Sequence, residues 1–130
     1  MKSPVRIAVD AGDYHPSQPV KSGIQRLVAE FLRRSRAIPR LRVAGYSFGR
    51  GSASFPPAGL KVLPKYLFSE VFLPLAVLRD NNRFFLGFSG HIPFFLRRLP
   101  IKKIVFVHDL GFYKYPRLYQ NAANAPCNKP

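Results

Sequence analysis

The sequence predicts an α/β domain of Rossmann-like, doubly wound type with a mostly parallel sheet. Three observations carry that prediction. Short apolar runs alternate with longer mixed or amphipathic segments along the chain. One run, Ile104-Val105-Phe106-Val107, passes straight into His108-Asp109 and then Gly111, as a strand buried on both faces does when it ends in a polar loop. A strand, a polar loop and an amphipathic helix also follow one another near the amino terminus, which is half of a βαβ unit.

Each element has its own justification. Val5–Val9 reads as the first strand, ending at Asp10, and the loop that follows carries Gly12, Asp13, Tyr14 and His15. Ser22-Gly23-Ile24-Gln25 then reads as a capping box: Ser22 takes the amide of Gln25 while Gln25 reaches back. Ile24, Leu27, Val28, Phe31 and Leu32 follow at helical spacing as one apolar stripe. Arg33, Arg34 and Arg36 complement the helix dipole at its end, and Pro39 bars continuation. Residues 41–47 form the second strand, reached by a right-handed crossover.

A Gly/Ser/Pro loop spans 49–59. It contains Gly49-x-Gly51 but no third glycine and no helix pattern after it, so it is not a dinucleotide fingerprint. Residues 60–63 make a short third strand, and 66–80 read as helical with a kink near Pro74, broken by Asn81-Asn82. Residues 83–88 are the fourth strand, running into Ser89-Gly90-His91. Residues 92–98 form a short apolar helix with Pro93 near its first turn. The strand ending at His108 is the fifth. Residues 113–119 are aromatic and basic, and from 120 to 130 apolar periodicity is lost, so residues 1–119 are read as the domain and 120–130 as a disordered or truncated tail.

Composition bounds the function. Lys and Arg number 21 against 6 acids, a formal charge of +15, which favours an anionic partner: nucleic acid, a phospholipid surface or a phosphorylated substrate. The 47% hydrophobic content excludes a disordered chain. A single cysteine, Cys127, excludes an internal disulfide and fits a reducing, cytoplasmic setting. The first residues do not read as a signal peptide, and the greasiest segment, 67–78, carries Glu70 and Pro74 and falls well short of the roughly 20 residues of a span. Peripheral attachment at the inner membrane face stays open.

In open α/β sheets, ligands bind outside the carboxyl ends of the strands. All three histidines, His15, His91 and His108, fall just after a predicted strand, as do Asp10, Asp13 and Asp109. The helix start at Ser22-Gly23 belongs to the same edge, where free amides and a glycine make an anion site. Each has a plainer reading. Ser22-Gly23 serves as a cap in most proteins, His108 can simply hydrogen-bond a neighbouring loop, and Asp109 can cap a helix or orient a histidine. The histidine spacings are too long for a metal-ligand set, so no metal is expected. Tyr113, Tyr115 and Tyr119 beside Lys114 and Arg117 could stack bases, although packing over a sheet edge explains them as well.

Asp10, Ser22-Gly23-Ile24-x-Arg26, and Val107-His108-Asp109-Leu110-x-Phe112-x-x-x-Pro116 with Leu118-Tyr119 resemble the amino-terminal domain of group 1 (family four) glycosyltransferases. Leu73-Pro74 and the Phe88-Ser89-Gly90 loop before His91 stand in the same order, and the resemblance covers residues 5 to 119. It implies a GT-B fold whose donor-binding half is missing here. It also implies a retaining reaction without metal or cofactor, on a nucleotide-sugar donor and a glycan or lipid-linked acceptor. Ser22 and Gly23 would lie at the donor diphosphate and His108 at the reacting carbon of the donor sugar, while Asp109, the second catalytic residue, would line the acceptor side with Ser89, Gly90 and His91. Two departures stand out. Gly23 lacks a second glycine beside it, and Glu30 and Glu70 are too far apart to be the family's paired donor-site glutamates. The resemblance therefore implies a fragment inactive alone, with the donor half absent or supplied in trans. The alternative is a small basic protein that binds nucleic acid or another anionic surface. No nucleic-acid-binding signature appears, and the charges are scattered, which disfavours the nucleic-acid form.

Overall fold

The structure is a computed structural model that describes residues 3–48, 59–108, 114, 115 and 117. Asp109, the loop at 49–58, the tail and most of the aromatic stretch at 113–119 lie outside the described residues. Five parallel strands, β1 (Val5–Gly12), β2 (Leu41–Ser47), β3 (Leu60–Val62), β4 (Phe84–Gly87) and β5 (Lys102–Val105), form one sheet in the order β3-β2-β1-β4-β5. The chain steps outward from β1 to β3, then returns to β4 on the other side of β1. The order thus reverses between β1 and β4, which is the switch point of a doubly wound sheet.

Period-two alternation along β1 assigns its side chains to two cores. Ala8 packs with Tyr46 and Phe85 under a layer made of a π-helical turn (Phe68–Phe72) and the helices α2 (Leu73–Arg79) and α3 (Phe94–Arg97). Val9 and Ala11 pack on the opposite face with Leu86, Phe88 and Val28, the last from helix α1. Helices on both faces are what an all-parallel sheet requires.

Helix α1 (Gly23–Ser35) starts where the sequence predicts, with Ser22 Oγ accepting the Gln25 amide at 3.2 Å. The reciprocal arm is displaced by one residue: Gln25 Oε1 accepts from the Lys21 amide at 2.7 Å, because its Nε2 is held by Asp13 Oδ1 at 2.8 Å. The inward face is also rotated from the predicted stripe. Gln25, Val28 and Ser35 are buried and Phe31 and Leu32 pack on the core, whereas Ile24 and Leu27 are exposed.

The predicted kink is realised ahead of Pro74 by the π-helical turn. The Phe72 amide donates to the Leu67 carbonyl at 3.3 Å and the Leu73 amide to Phe68, both five residues back. Pro74 has no amide and its ring crowds the carbonyl four residues back, and the wider turn relieves both. Pro93 is the residue before α3 rather than part of its first turn, with an extended ψ of 143°.

The fifth strand departs from the sequence reading. It begins two residues earlier, at Lys102, and lies at the edge of the sheet instead of being buried on both faces. Ile104 is 50% exposed and Val107 59%. A β-branched run specifies a strand but not its place in the sheet, and pairing with Phe84–Gly87 of β4 sets the register. Among the described residues no helix is long and apolar enough to cross a membrane.

Candidate functional site

The switch point opens into a groove of about 300 Å³ outside the carboxyl ends of β1 and β4. The β1 side supplies Asp10, near the carboxyl end of the central strand, and then Gly12 and Asp13. Asp10 Oδ1 accepts the Gly12 amide at 3.0 Å, a bond that requires the chain to double back at once. Gly12 does so at φ 54°, a region that favours glycine, and the β1–β2 register shifts between Asp10 and Gly12. The turn leaves Asp10 only 8% exposed, at the head of the groove. Burial raises its pKa above the ordinary carboxylate value, offset in part by the Gly12 amide and by the nearby His91.

The α1 side supplies Ser22 and Gln25. Gln25 ties three segments together: its amide caps on Ser22, its oxygen takes the Lys21 amide, and its nitrogen holds Asp13. It reads in the sequence as a capping residue only. Asp13, an acid in the preceding loop, was the available sign that a carboxamide at this point would be held from two sides. Gly23 is the first residue of α1, and a methyl built there would meet no atom within 4 Å. The space above the start of α1 is therefore open.

The β4 side supplies Ser89 and His91. Ser89 Oγ and His91 Nδ1 are 3.2 Å apart, both side chains are exposed, and both line the groove. Gly90 between them takes φ 80°, which lets the loop turn so sharply.

Of the residues singled out in the sequence, Ser22, Ser89 and His91 thus meet in one groove, with Gly23 and Gly90 beside their neighbours. His108 stands one strand away, after β5. It is exposed, and its Nε2 is hydrogen-bonded to the carbonyl of Phe88, the residue that leads from β4 into the groove loop. His15 is buried, and its Nδ1 faces Ser17 Oγ at 2.7 Å, which gives it a local structural partner.

Chemically, the groove sets amide donors at the start of α1 against two carboxylates, three serine hydroxyls and an imidazole. That combination serves a ligand carrying both an anionic group and hydroxyls. A second groove, of about 480 Å³, lies around Arg6, Arg42 and Asp80 and contains none of the candidate residues. Its acid, Asp80, is already engaged by Lys61 and Tyr46, each at 2.6 Å. Among the described residues no group of three or more His, Cys, Asp or Glu is placed to hold a metal ion. No family model, no curated protein and no solved structure matches the chain.

Proposed function

We propose that this chain is the acceptor-side, amino-terminal half of a retaining GT-B glycosyltransferase. It would act with a donor-binding half to transfer a sugar from a nucleotide-sugar to a glycan or lipid-linked acceptor. The observation that carries the reading is the single groove at the β1/β4 switch point, where the open amino end of α1 faces Asp10, Ser89 and His91. Amides at a helix start suit a diphosphate, and carboxylate, hydroxyl and imidazole groups suit sugar hydroxyls.

In this reading Ser22 and Gly23 receive the donor diphosphate, and Ser89, Gly90 and His91 orient the acceptor. His108, steadied through Phe88, contacts the donor sugar from the flank, with Asp109 next to it in the chain. The acceptor oxygen forms its bond to the anomeric carbon as the bond to the diphosphate breaks, and the acceptor proton passes to the leaving diphosphate oxygen. The chain alone binds weakly and turns nothing over. Nucleic-acid binding is less well supported, because the basic residues are scattered along the chain and form no nucleic-acid-binding signature.

The test is an amide chemical-shift titration of the folded chain with UDP-glucose and GDP-mannose, which reads binding even at millimolar Kd. Shifts confined to Gly12, Ser22, Gly23 and His108, and lost in Gly23→Ala, are the expected result. An unperturbed spectrum with both donors, together with salt-dependent shifts from an oligonucleotide, would replace this reading with that of a basic nucleic-acid-binding protein.

A further inference from the structure

We propose that the outward surface of the layer formed by α2 and α3 docks onto an anionic lipid bilayer. Helix α2 buries Leu73, Pro74, Ala76 and Val77 against the sheet, so Leu75, Leu78 and Arg79 project from the opposite side. Both leucines are exposed.

Helix α3 lies on the same sheet face and behaves the same way. Leu96 enters the core cluster with Phe68 and Leu73, while Phe94 and Phe95 are turned outward at 50% and 49% exposure. Their rings meet edge to face at 5.4 Å, and the Arg98 guanidinium lies 5.0 Å from the centroid of the Phe94 ring. Arg97 is held by the Ile92 carbonyl at 3.1 Å. Tyr66, 80% exposed beside Lys65, leads into the π-helical turn of the same layer.

Scattered exposed leucines mean little, but two touching aromatic rings with a guanidinium over one of them, and two leucines on a helix of the same layer, give that layer an apolar outer surface with cations beside it. The charge selects the occupant. Lys65, Arg97 and Arg98 outnumber Glu70, the exposed acid of the layer, while Arg79 is already paired with Asp80 at 3.3 Å. A second copy of this chain would bring its own formal charge of +15 against them. Nucleic acid would use the cations but offers little to aliphatic Leu75 and Leu78. An anionic bilayer satisfies both parts: rings and leucines sink to the acyl boundary while the basic groups stay among the headgroups.

This surface lies on a helical layer rather than in the switch-point groove, so its test is separate from that of the proposed function. The experiment is co-sedimentation of the chain with phosphatidylcholine vesicles, with and without phosphatidylglycerol. Binding only to the phosphatidylglycerol vesicles, falling with added salt, is expected. Replacing the cations in Arg97→Gln/Arg98→Gln should weaken it roughly thirty-fold, and Phe94→Ser/Phe95→Ser should weaken it strongly. The control is Arg33→Gln/Arg34→Gln on α1, which packs on the other sheet face and should leave binding near that of the parent chain. Circular dichroism confirms that each variant is folded. Equal loss from the α1 control would reduce the effect to bulk charge and overturn the proposal. So would a folded parent chain that ignores the vesicles, or one whose Phe94 and Phe95 drive self-association instead.

Discussion

The Tyr46 hydroxyl donates to Oδ2 of Asp80 at 2.6 Å, joining the carboxyl half of β2 to the residue that caps the carboxyl end of α2. Asn82 Nδ2 donates to the same hydroxyl at 3.0 Å and to the Val77 carbonyl at 3.3 Å, and Lys61 of β3 reaches Asp80 at 2.6 Å. Two neighbouring strands and the α2–β4 connection are thereby locked by one phenol in the core. Tyr46→Phe keeps the packed ring but leaves Asn82 with one partner fewer and Asp80 with its cations alone. A loss of about 1–2 kcal/mol in urea denaturation is expected. A loss near zero would mean that water replaces the phenol freely.

The same network sets opposite pH limits. Burial alone would raise the pKa of Asp80, but the Lys61 ammonium and the Tyr46 hydroxyl outweigh it and the net shift is downward. A carboxyl depressed in the fold contributes stability that is present above its unfolded value, near 3.9, and is lost as pH falls through the folded value. Burial, and then Asp80, push the Tyr46 phenol upward. Its contribution is present below the unfolded value near 10 and lost as pH rises beyond it. Thermal unfolding against pH should therefore show an acid limb that Asp80→Asn flattens and an alkaline limb that Tyr46→Phe flattens. If each variant moved the other limb, the assignment would be reversed.

Asp10 runs the other way from Asp80. Its carboxyl is raised in the fold, chiefly by burial, so its contribution is present below the unfolded value near 3.9 and is lost as pH rises through the folded value. At neutral pH the buried charge is a cost. Asp10→Asn keeps an oxygen for the Gly12 amide and removes the charge, so it should raise Tm at pH 7, with the gain shrinking towards pH 3. If Asp10 also receives sugar hydroxyls, the same variant should weaken nucleotide-sugar binding. Stability and binding moving in opposite directions is the mark of a residue kept for function. A fall in Tm at pH 7 would instead make Asp10 a structural residue.

The α/β alternation was legible because parallel strands and amphipathic helices write different periods into the chain, and every predicted strand and helix has its counterpart among the described residues. Sheet order was not. Nothing in Ile104-Val105-Phe106-Val107 distinguishes a central strand from an edge strand, so the run before His108 read as buried on both faces although its strand lies at the edge of the sheet. The residues nearest the switch point, Asp10 and His91, were legible as polar groups following strands. Gln25 was hidden because its spacing from Ser22 explained it fully as a cap, and the partner that gives it a second role, Asp13, lies twelve residues back. The π-helical turn was foreshadowed only by Pro74, which marks a disturbed helix without saying how the disturbance is absorbed.

Gly23 and Ser22 separate the structural from the binding role of the α1 start. Ser22→Ala removes the acceptor for the Gln25 amide, and loss of such a cap costs about 1 kcal/mol whether or not anything binds there. Gly23→Ala touches no neighbour, since a methyl at that point finds no atom within 4 Å, and it removes backbone freedom from the unfolded chain. It should leave stability unchanged or raise it by up to about 1 kcal/mol. That methyl would nevertheless stand where a diphosphate must approach the first amides of α1. Gly23→Ala should therefore weaken the response to UDP-glucose and GDP-mannose in a chain at least as stable as its parent. If binding survives the added methyl unchanged, the diphosphate does not sit at α1, and Ser22-Gly23 is a helix cap and nothing more.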